Sequence, residues 1–344
     1  MTIYDLVQAE EMVAYWTTLN QNRAPYLGET LFPNDKKLGL DLKWIKGNSG
    51  LPVVLKLSAF DAKAIPRDRI GFEKMSTEMP FFKESLLIDE EMRQELNKVL
   101  ETGNQVYIDA VMNRVFNDNA RLIESAAVSR ERMRMMLLST GTITMTSNGQ
   151  TYTYDYGLTS AQKPTVTKSW SDPTADIIND IKTWQDGRED ETGIRPTRAI
   201  MSRKTFNYIL KNETIIKSIY VLSNGQAALS ETRAKEYIMN ETGVDIVVYT
   251  KKYKNEDGAI VPYIPDDTFI MIPTGSLGKT WFGTTPEESD LMSGSSANVS
   301  IVDTGVAVTT MKREDPVNVE TKVTMIALPS FEGADGVVIA DVIV

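Results

Sequence analysis

The sequence predicts an α+β protein in which strand-rich extended segments flank one very long helix. Three observations carry that reading. Residues 104–140 contain neither proline nor glycine, and their apolar side chains recur at helical spacings of three, four and seven. Strand-like patterns occur at 51–61 (LPVVLKLSAFD), at Phe81 to Ile88 and at 319–329 (VETKVTMIALP). Residues 170–273 alternate helical and strand patterns, as a module of about 100 residues built of both would.

Taken in order, residues 1–20 form a weakly amphipathic segment with Leu6, Met12, Val13, Trp16 and Leu19 as its apolar members. Pro25, Gly28, Pro33 and Gly39 then break regularity, so the segment is expected to be an extended arm with aromatic anchors Trp16, Tyr26, Phe32 and Trp44. The arm is tucked on its own domain or laid across a neighbour. Residues 51–61 and 81–88 make two strands separated by some twenty polar residues, a long hairpin whose middle carries Arg67, Asp68, Arg69, Glu73 and Lys74. A loop of that length is usually functional or ordered by a partner.

The helix over 104–140 would be on the order of 55 Å long at the α-helical rise. Gly103 precedes it and Gly141 stands where a C-terminal stop belongs. Arg130, Arg132 and Arg134 fall in its last turns, where cations complement the dipole on a solvated face. The stretch TITMTSNGQTYTYDYG (142–157) reads as a hairpin around Asn148-Gly149. A helix is expected from Asp172 or Ser171 as N-cap to about Gln185, with Ile177, Ile178, Ile181 and Trp184 on one face. RAIMS (198–202) is a short buried strand and KTFNYILKN (204–212) a second helix. Strands at GVDIVVYT and TFIMIP enclose a charged tip, KKYKNEDGA, with VPYI as the return. Residues 283–300 are small, polar and expected to be flexible.

Composition bounds the function. The chain has 344 residues, 42% apolar, with a net charge of −10 and a pI near 4.9. An acidic surface works against non-specific binding to phosphate backbones. There is no cysteine and no histidine. This removes thiolate chemistry, the commonest general base and the commonest transition-metal ligand. The first residues lack the pattern of a signal peptide, and no apolar run approaches the length of a membrane span.

Motifs for chemistry are weak. TGSLGKT (274–280) has two residues between Gly275 and Gly278 where a phosphate loop needs four before Gly-Lys, so it is a turn. Acidic clusters at Asp89-Glu90-Glu91, Glu189-Asp190-Glu191, Asp266-Asp267 and Glu287-Glu288 lack the spacing of a calcium loop. Asp266-Asp267 is expected to turn the chain between two strands, with no base, nucleophile or metal set converging on it.

The order of parts resembles the Hong Kong 97-type capsid fold of tailed phages, and within it the lambda-type major head protein, the E family. "DIVVYTKKYKNEDGAIVPYIPDDTFIMIP" resembles that family's strand, tyrosine-containing hairpin, Pro-Asp corner and following strand. "WSDPTADI" resembles its Trp and Asp-Pro-Thr helix start, "RERMRMMLLSTGTITM" its long helix running into a strand, and "DPVNVETKVTMIALPSFEGAD" its late segment. The resemblance covers nearly the whole chain. It implies an N-terminal arm at 1–49, an extended E-loop hairpin at 50–88, and a peripheral domain at 89–171 with the spine helix at 104–140. An axial α+β domain at 172–300 and returning strands at 301–344 complete it.

The implied function is that of a major capsid protein of a tailed double-stranded DNA phage, assembling as hexamers and pentamers into an icosahedral shell. No enzyme activity, cofactor or metal is implied. The implied subunit contacts are Trp16 on the arm and Phe60, Arg67, Arg69, Glu73 and Lys74 on the hairpin. A separate scaffolding protein, a portal protein and an optional decoration protein are the implied partners, with DNA enclosed without sequence-specific binding. The place of action is the virion, after assembly in the host cytoplasm. No set matching the family fold's Lys–Asn cross-link is found, and none is expected. Two other readings stay open: an encapsulin-like shell around cargo, which DNA content would decide, and a carboxylate or oxygen-bound-metal hydrolase, for which metal dependence is the test.

Overall fold

The computed structural model describes residues 8–21, 23–46, 73–88, 105–147, 149–220, 228–291, 297–314 and 317–344, with isolated positions between 90 and 101. Helices α1 (Ala9–Asn20) and α2 (Leu27–Leu31) lead into strands β1 (Asn34–Lys36) and β2 (Asp41–Lys46). Strands β3 (Glu73–Glu78) and β4 (Phe81–Ile88) precede the long helix α3 (Gln105–Thr140) and a hairpin of β5 (Thr142–Ser147) and β6 (Gln150–Asp155). Then come α4 (Ile177–Thr192), β7 (Arg198–Met201), α5 (Arg203–Lys211), α6 (Glu213–Ile219), α7 (Glu231–Thr242) and β8 (Asp245–Val248). Strands β9 (Lys252–Lys254), β10 (Ile260–Pro262), β11 (Thr268–Ile272) and β12 (Thr280–Phe282) follow. The order ends with β13 (Asn298–Val302), β14 (Val306–Glu314), β15 (Val317–Pro329) and β16 (Val338–Asp341). Two compact units share these elements: 1–43, 76–133 and 279–330 in the first, and 44–75, 134–278 and 331–344 in the second.

The first unit is built round β15. This strand pairs with β14 along one edge, and with β4 and then β12 along the other. β1 adds to β12 in parallel and β13 to β14. The period-2 pattern of the strand explains why both faces are covered. Thr321 and Met325 point one way, where Met12 of α1 and Arg130 of α3 reach their side chains. Lys322, Thr324 and Ile326 point the other way, toward the segment 283–291: Glu287 binds Lys322 and Thr324, and Ile326 lies under Gly283. Buried polar groups on the strand therefore need partners, and Thr321, Lys322 and Thr324 have them, whereas the side-chain oxygen of Asn318 accepts no hydrogen bond.

The second unit is a four-stranded sheet, order β16-β11-β7-β8, with β7 and β8 parallel and the others antiparallel. The parallel pair requires a crossover, supplied by α5, α6 and α7. The core holds Trp170, Phe206 and Phe269 with Ile177, Ile181, Ile209 and Ile238. Trp170 stacks with Trp184 at 5.9 Å and meets Phe269 at a tilt at 5.0 Å, and its indole N–H donates to Asp180. Each helix begins on a side-chain cap: Asp176 for α4, Ser202 for α5, Asn212 for α6 and Ser230 for α7.

Several expectations are corrected. The N-terminal segment is not extended: 9–20 is a helix with Ala9 and Met12 buried, and it packs on the sheet of its own unit. Helix α4 starts after Asp176, because Asp172 is engaged in a tight turn, accepting from Thr174 N and Oγ1. The same helix runs on to Gly193, whose left-handed conformation ends it. The hairpin arm that pairs with β3 is β2, before residue 50, whereas β4 leaves the hairpin to join β15. The strand expected at 51–61 lies outside the described residues. The second unit runs from 134 to 278 and resumes at 331–344, while β12, the helical turn Glu287–Leu291 and β13 belong to the first.

Candidate assembly surface and the charges that brace it

Helix α3 carries the most consequential correction. Arg130 and Arg134 do not lie on a solvated face: they are 2% and 0% exposed, and Glu131 between them is fully buried. Met133, Met135, Leu137 and Leu138 beside them are buried too, while Arg132, the third arginine of the run, is half-exposed. Arg130 is held by an ion pair to Asp303 at 2.6 Å and lies over the ring of Phe282 at 5.4 Å. Asp303 takes a positive φ of 50° in the β13–β14 turn, a conformation Asp tolerates better than most residues. Glu131 Oε1 accepts from the N–H of Gly28 at 3.1 Å, tying α2 to α3.

A second buried pair sits beneath β15. Lys322 and Glu287 are 2.6 Å apart and both under 10% exposed. Burial pushes the Glu287 carboxyl up, but hydrogen bonds from Lys322, its own backbone and Thr324 outweigh it and hold the group below the usual carboxylate range. Lys36 binds Glu288 next to it at 2.5 Å, and Lys279 binds Asp35 at 2.6 Å. These bridges fasten β1 and the 283–291 segment to the sheet. None was legible in sequence, because the partners lie 35 to 252 positions apart.

What the bracing supports is an exposed edge. β4 pairs with β15 through eight residues from Phe81 to Ile88 and has no strand on its other side among the described residues. Phe81, Leu86 and Leu87 are 48%, 40% and 49% exposed. Leu86 and Leu87 join Val115, Asp118, Arg121 and Leu122 of α3 in lining a groove of about 320 Å³. Leu86 and Leu87 are thus exposed apolar side chains beside a strand edge that no described strand covers.

Of the residues expected to make subunit contacts, one is described with its side chain. Trp16 lies half-buried on α1. Glu73 and Lys74 are placed only as backbone in β3, and Phe60, Arg67 and Arg69 lie outside the described residues. The Asp266-Asp267 corner is busier than its sequence suggests. Ser202 donates to Asp266 at 2.7 Å, Lys204 and Tyr208 both reach Asp267 at 2.7 Å, and the Asp267 N–H donates to Thr205. Burial raises Asp267, but Lys204 and Tyr208 outweigh it and keep the carboxyl low, while burial and Asp267 push the Tyr208 hydroxyl up. An ionised Asp, a charged Lys and a neutral Tyr clamp the start of α5 and leave no group poised to take a proton at neutral pH.

With this architecture in place, the chain can be set beside known proteins. The sequence profile of the phage major capsid protein E family matches residues 8–342. The chain belongs to the phage major capsid protein E family. Two solved structures are similar to this capsid protein over almost its whole length. A candidate capsid protein of an Escherichia coli CFT073 prophage is 13% identical with a TM-score of 0.56, covering 98% of this chain and 99% of that one. A phage-related protein of Bordetella bronchiseptica RB50 is 12% identical with a TM-score of 0.55, covering 98% and 97%. At such identities the likeness is one of fold. No protein of curated function matches the capsid chain by sequence. The Hong Kong 97-type fold implied by the sequence resemblance is the fold this capsid protein has.

Proposed function

We propose that this capsid protein assembles through hexamers and pentamers into a closed icosahedral shell around double-stranded DNA. Its role there is structural, with no catalytic step and no Lys–Asn cross-link. The family match from residue 8 to 342 carries the reading, and the free, apolar edge of β4 supports it. In this reading the segment 50–88 is the E-loop that engages a neighbour through Phe60, Arg67, Arg69, Glu73 and Lys74. α3 is the spine of the peripheral domain, and the β7–β8–β11–β16 module is the axial domain. The β4 groove is the receiving face for another copy. A separate scaffolding protein and a portal complete the head, which forms in the host cytoplasm and persists in the virion. A chain with a net charge of −10 suits a container in which packaged DNA slides and does not stick.

The test is electron microscopy of the purified chain, alone and with the neighbouring phage proteins. Shells, tubes or rings of five and six are the expected products. A uniform monomer or dimer under every condition, scaffold included, would overturn the reading. Denaturing electrophoresis of the shells should then return the single chain, and a ladder of covalent multimers would contradict the absence of cross-linking.

A further inference from the structure

Strands β9 and β10 pair with each other and with no other strand among the described residues. An isolated two-stranded ribbon is marginal in water, yet this one is stiffened at both ends. At its base the rings of Tyr249 and Tyr253 pack on Tyr263 at 6.0 and 4.9 Å, and Tyr263 N donates to Lys251 O. At its turn Asn255 N donates to Ala259 O, Gly258 N to Asn255 O, and Ala259 N to the Asn255 side chain at 2.8 Å.

The ribbon holds its charges in a fixed order. Lys252 and Lys254 stand on one face, opposite Pro262 and Ile260 in the register. Both lysines are exposed, Ile260 is 66% exposed, and neither ammonium has an ion pair within the described residues. The turn that follows carries exposed Glu256 and Asp257. One side of the hairpin is thus cationic with an apolar centre, and its tip is anionic.

We propose that this hairpin is a head-to-tail contact between copies of the chain. The Lys252, Lys254 and Ile260 face of one hairpin receives the Glu256-Asp257 turn of the next. The inference rests on the shell-forming reading and deepens it. Copies related by rotation in a closed ring meet through two different patches of the same surface. A tip of one sign would repel its neighbour there, whereas a tip with separated signs attracts it and fixes its register. Duplex DNA is a poorer occupant, because the two carboxylates would face phosphates and the tyrosine rings are packed on one another.

The experiment uses the full chain under conditions in which it assembles. Lys252→Glu with Lys254→Glu, and separately Glu256→Lys with Asp257→Lys, should each lower the assembled fraction about tenfold in sedimentation and micrographs, as facing like charges would. The fourfold variant restores opposite signs and should recover to within about twofold of the parent. Thermal unfolding of the unassembled variants should match the parent. If a reversal unfolds the chain, Lys252→Gln with Lys254→Gln takes its place, and a weaker loss with reduced salt sensitivity is expected.

Doubles that assemble like the parent would overturn the proposal. So would a fourfold variant that folds but stays unassembled, since the contact would not then be this pairing. Normal assembly with reduced DNA retention would assign the lysines to nucleic acid and overturn it too. A parent chain that never assembles would instead remove the shell reading beneath it.

Discussion

The single residue on which most depends is Arg130. Its guanidinium is buried, and its ion-pair partner Asp303 is itself 28% exposed. Breaking a buried pair by removing one member commonly costs 3–5 kcal/mol, so Arg130→Ala should destabilise the unassembled chain by about 3 kcal/mol in chemical denaturation. Asp303→Asn keeps a hydrogen-bond acceptor and should cost about half as much. Equal, negligible effects would show that the pair does not brace the β13–β14 turn. Glu287 allows a test by pH. Its carboxyl titrates lower in the folded state, so its stabilisation is complete above the ordinary carboxylate range and is lost as pH falls through the folded value. Stability measured from about pH 6 to pH 2 should therefore fall less steeply for Glu287→Gln than for the parent, and the two curves should converge in acid. Parallel curves would contradict this assignment.

At the scale of elements, two of the helix-ending glycines separate conformation from contact. Gly141 and Gly243 both sit at φ near 70°. A Cβ on Gly243 would meet nothing within 4 Å, while one on Gly141 would come within 2.5 Å of Leu158 Cδ1. Gly243→Ala should cost about 1 kcal/mol for the left-handed backbone, and Gly141→Ala about 2 kcal/mol or more, by thermal unfolding. Matching losses would mean that Leu158 yields freely.

Elements set by local pattern were legible in the sequence. Helix α3 and its stop at Gly141 follow from spacing and from the absence of breakers, and the β5–β6 hairpin follows from its Asn-Gly turn. Elements decided by distant partners were not. Residues 9–20 look weak as a helix until β13 and β15 supply the surface that Ala9 and Met12 bond. Asp172-Pro173 is a good helix start by composition, and only the turn that Asp172 makes with Thr174 moves the cap to Asp176. Arg130 reads as a surface residue because its partner lies 173 positions away. Of the candidate surface, the strand Phe81–Ile88 was legible, and its groove with α3 was not.

For the whole molecule, the β4 surface predicts a division between folding and assembly. Leu86→Ser with Leu87→Ser removes apolar side chains that are already solvent-exposed, so stability of the unassembled chain should change by no more than about 1 kcal/mol. Shell formation should nevertheless be lost, as counted in micrographs. Full assembly of that variant would show that another face makes the contact.

The central place of β15 also orders events in time. Ile88 on β4 pairs with Val319, so a strand made early in translation waits for a partner encoded more than two hundred codons later. At about 5–20 residues per second the interval is roughly ten to fifty seconds. Until then neither that early strand nor β12 or β14 has its main neighbour, and the receiving edge does not exist in finished form. A polypeptide abandoned by the ribosome before that point lacks the geometry to enter a growing lattice. Incomplete copies are thereby kept out of a container in which one faulty subunit would be a leak.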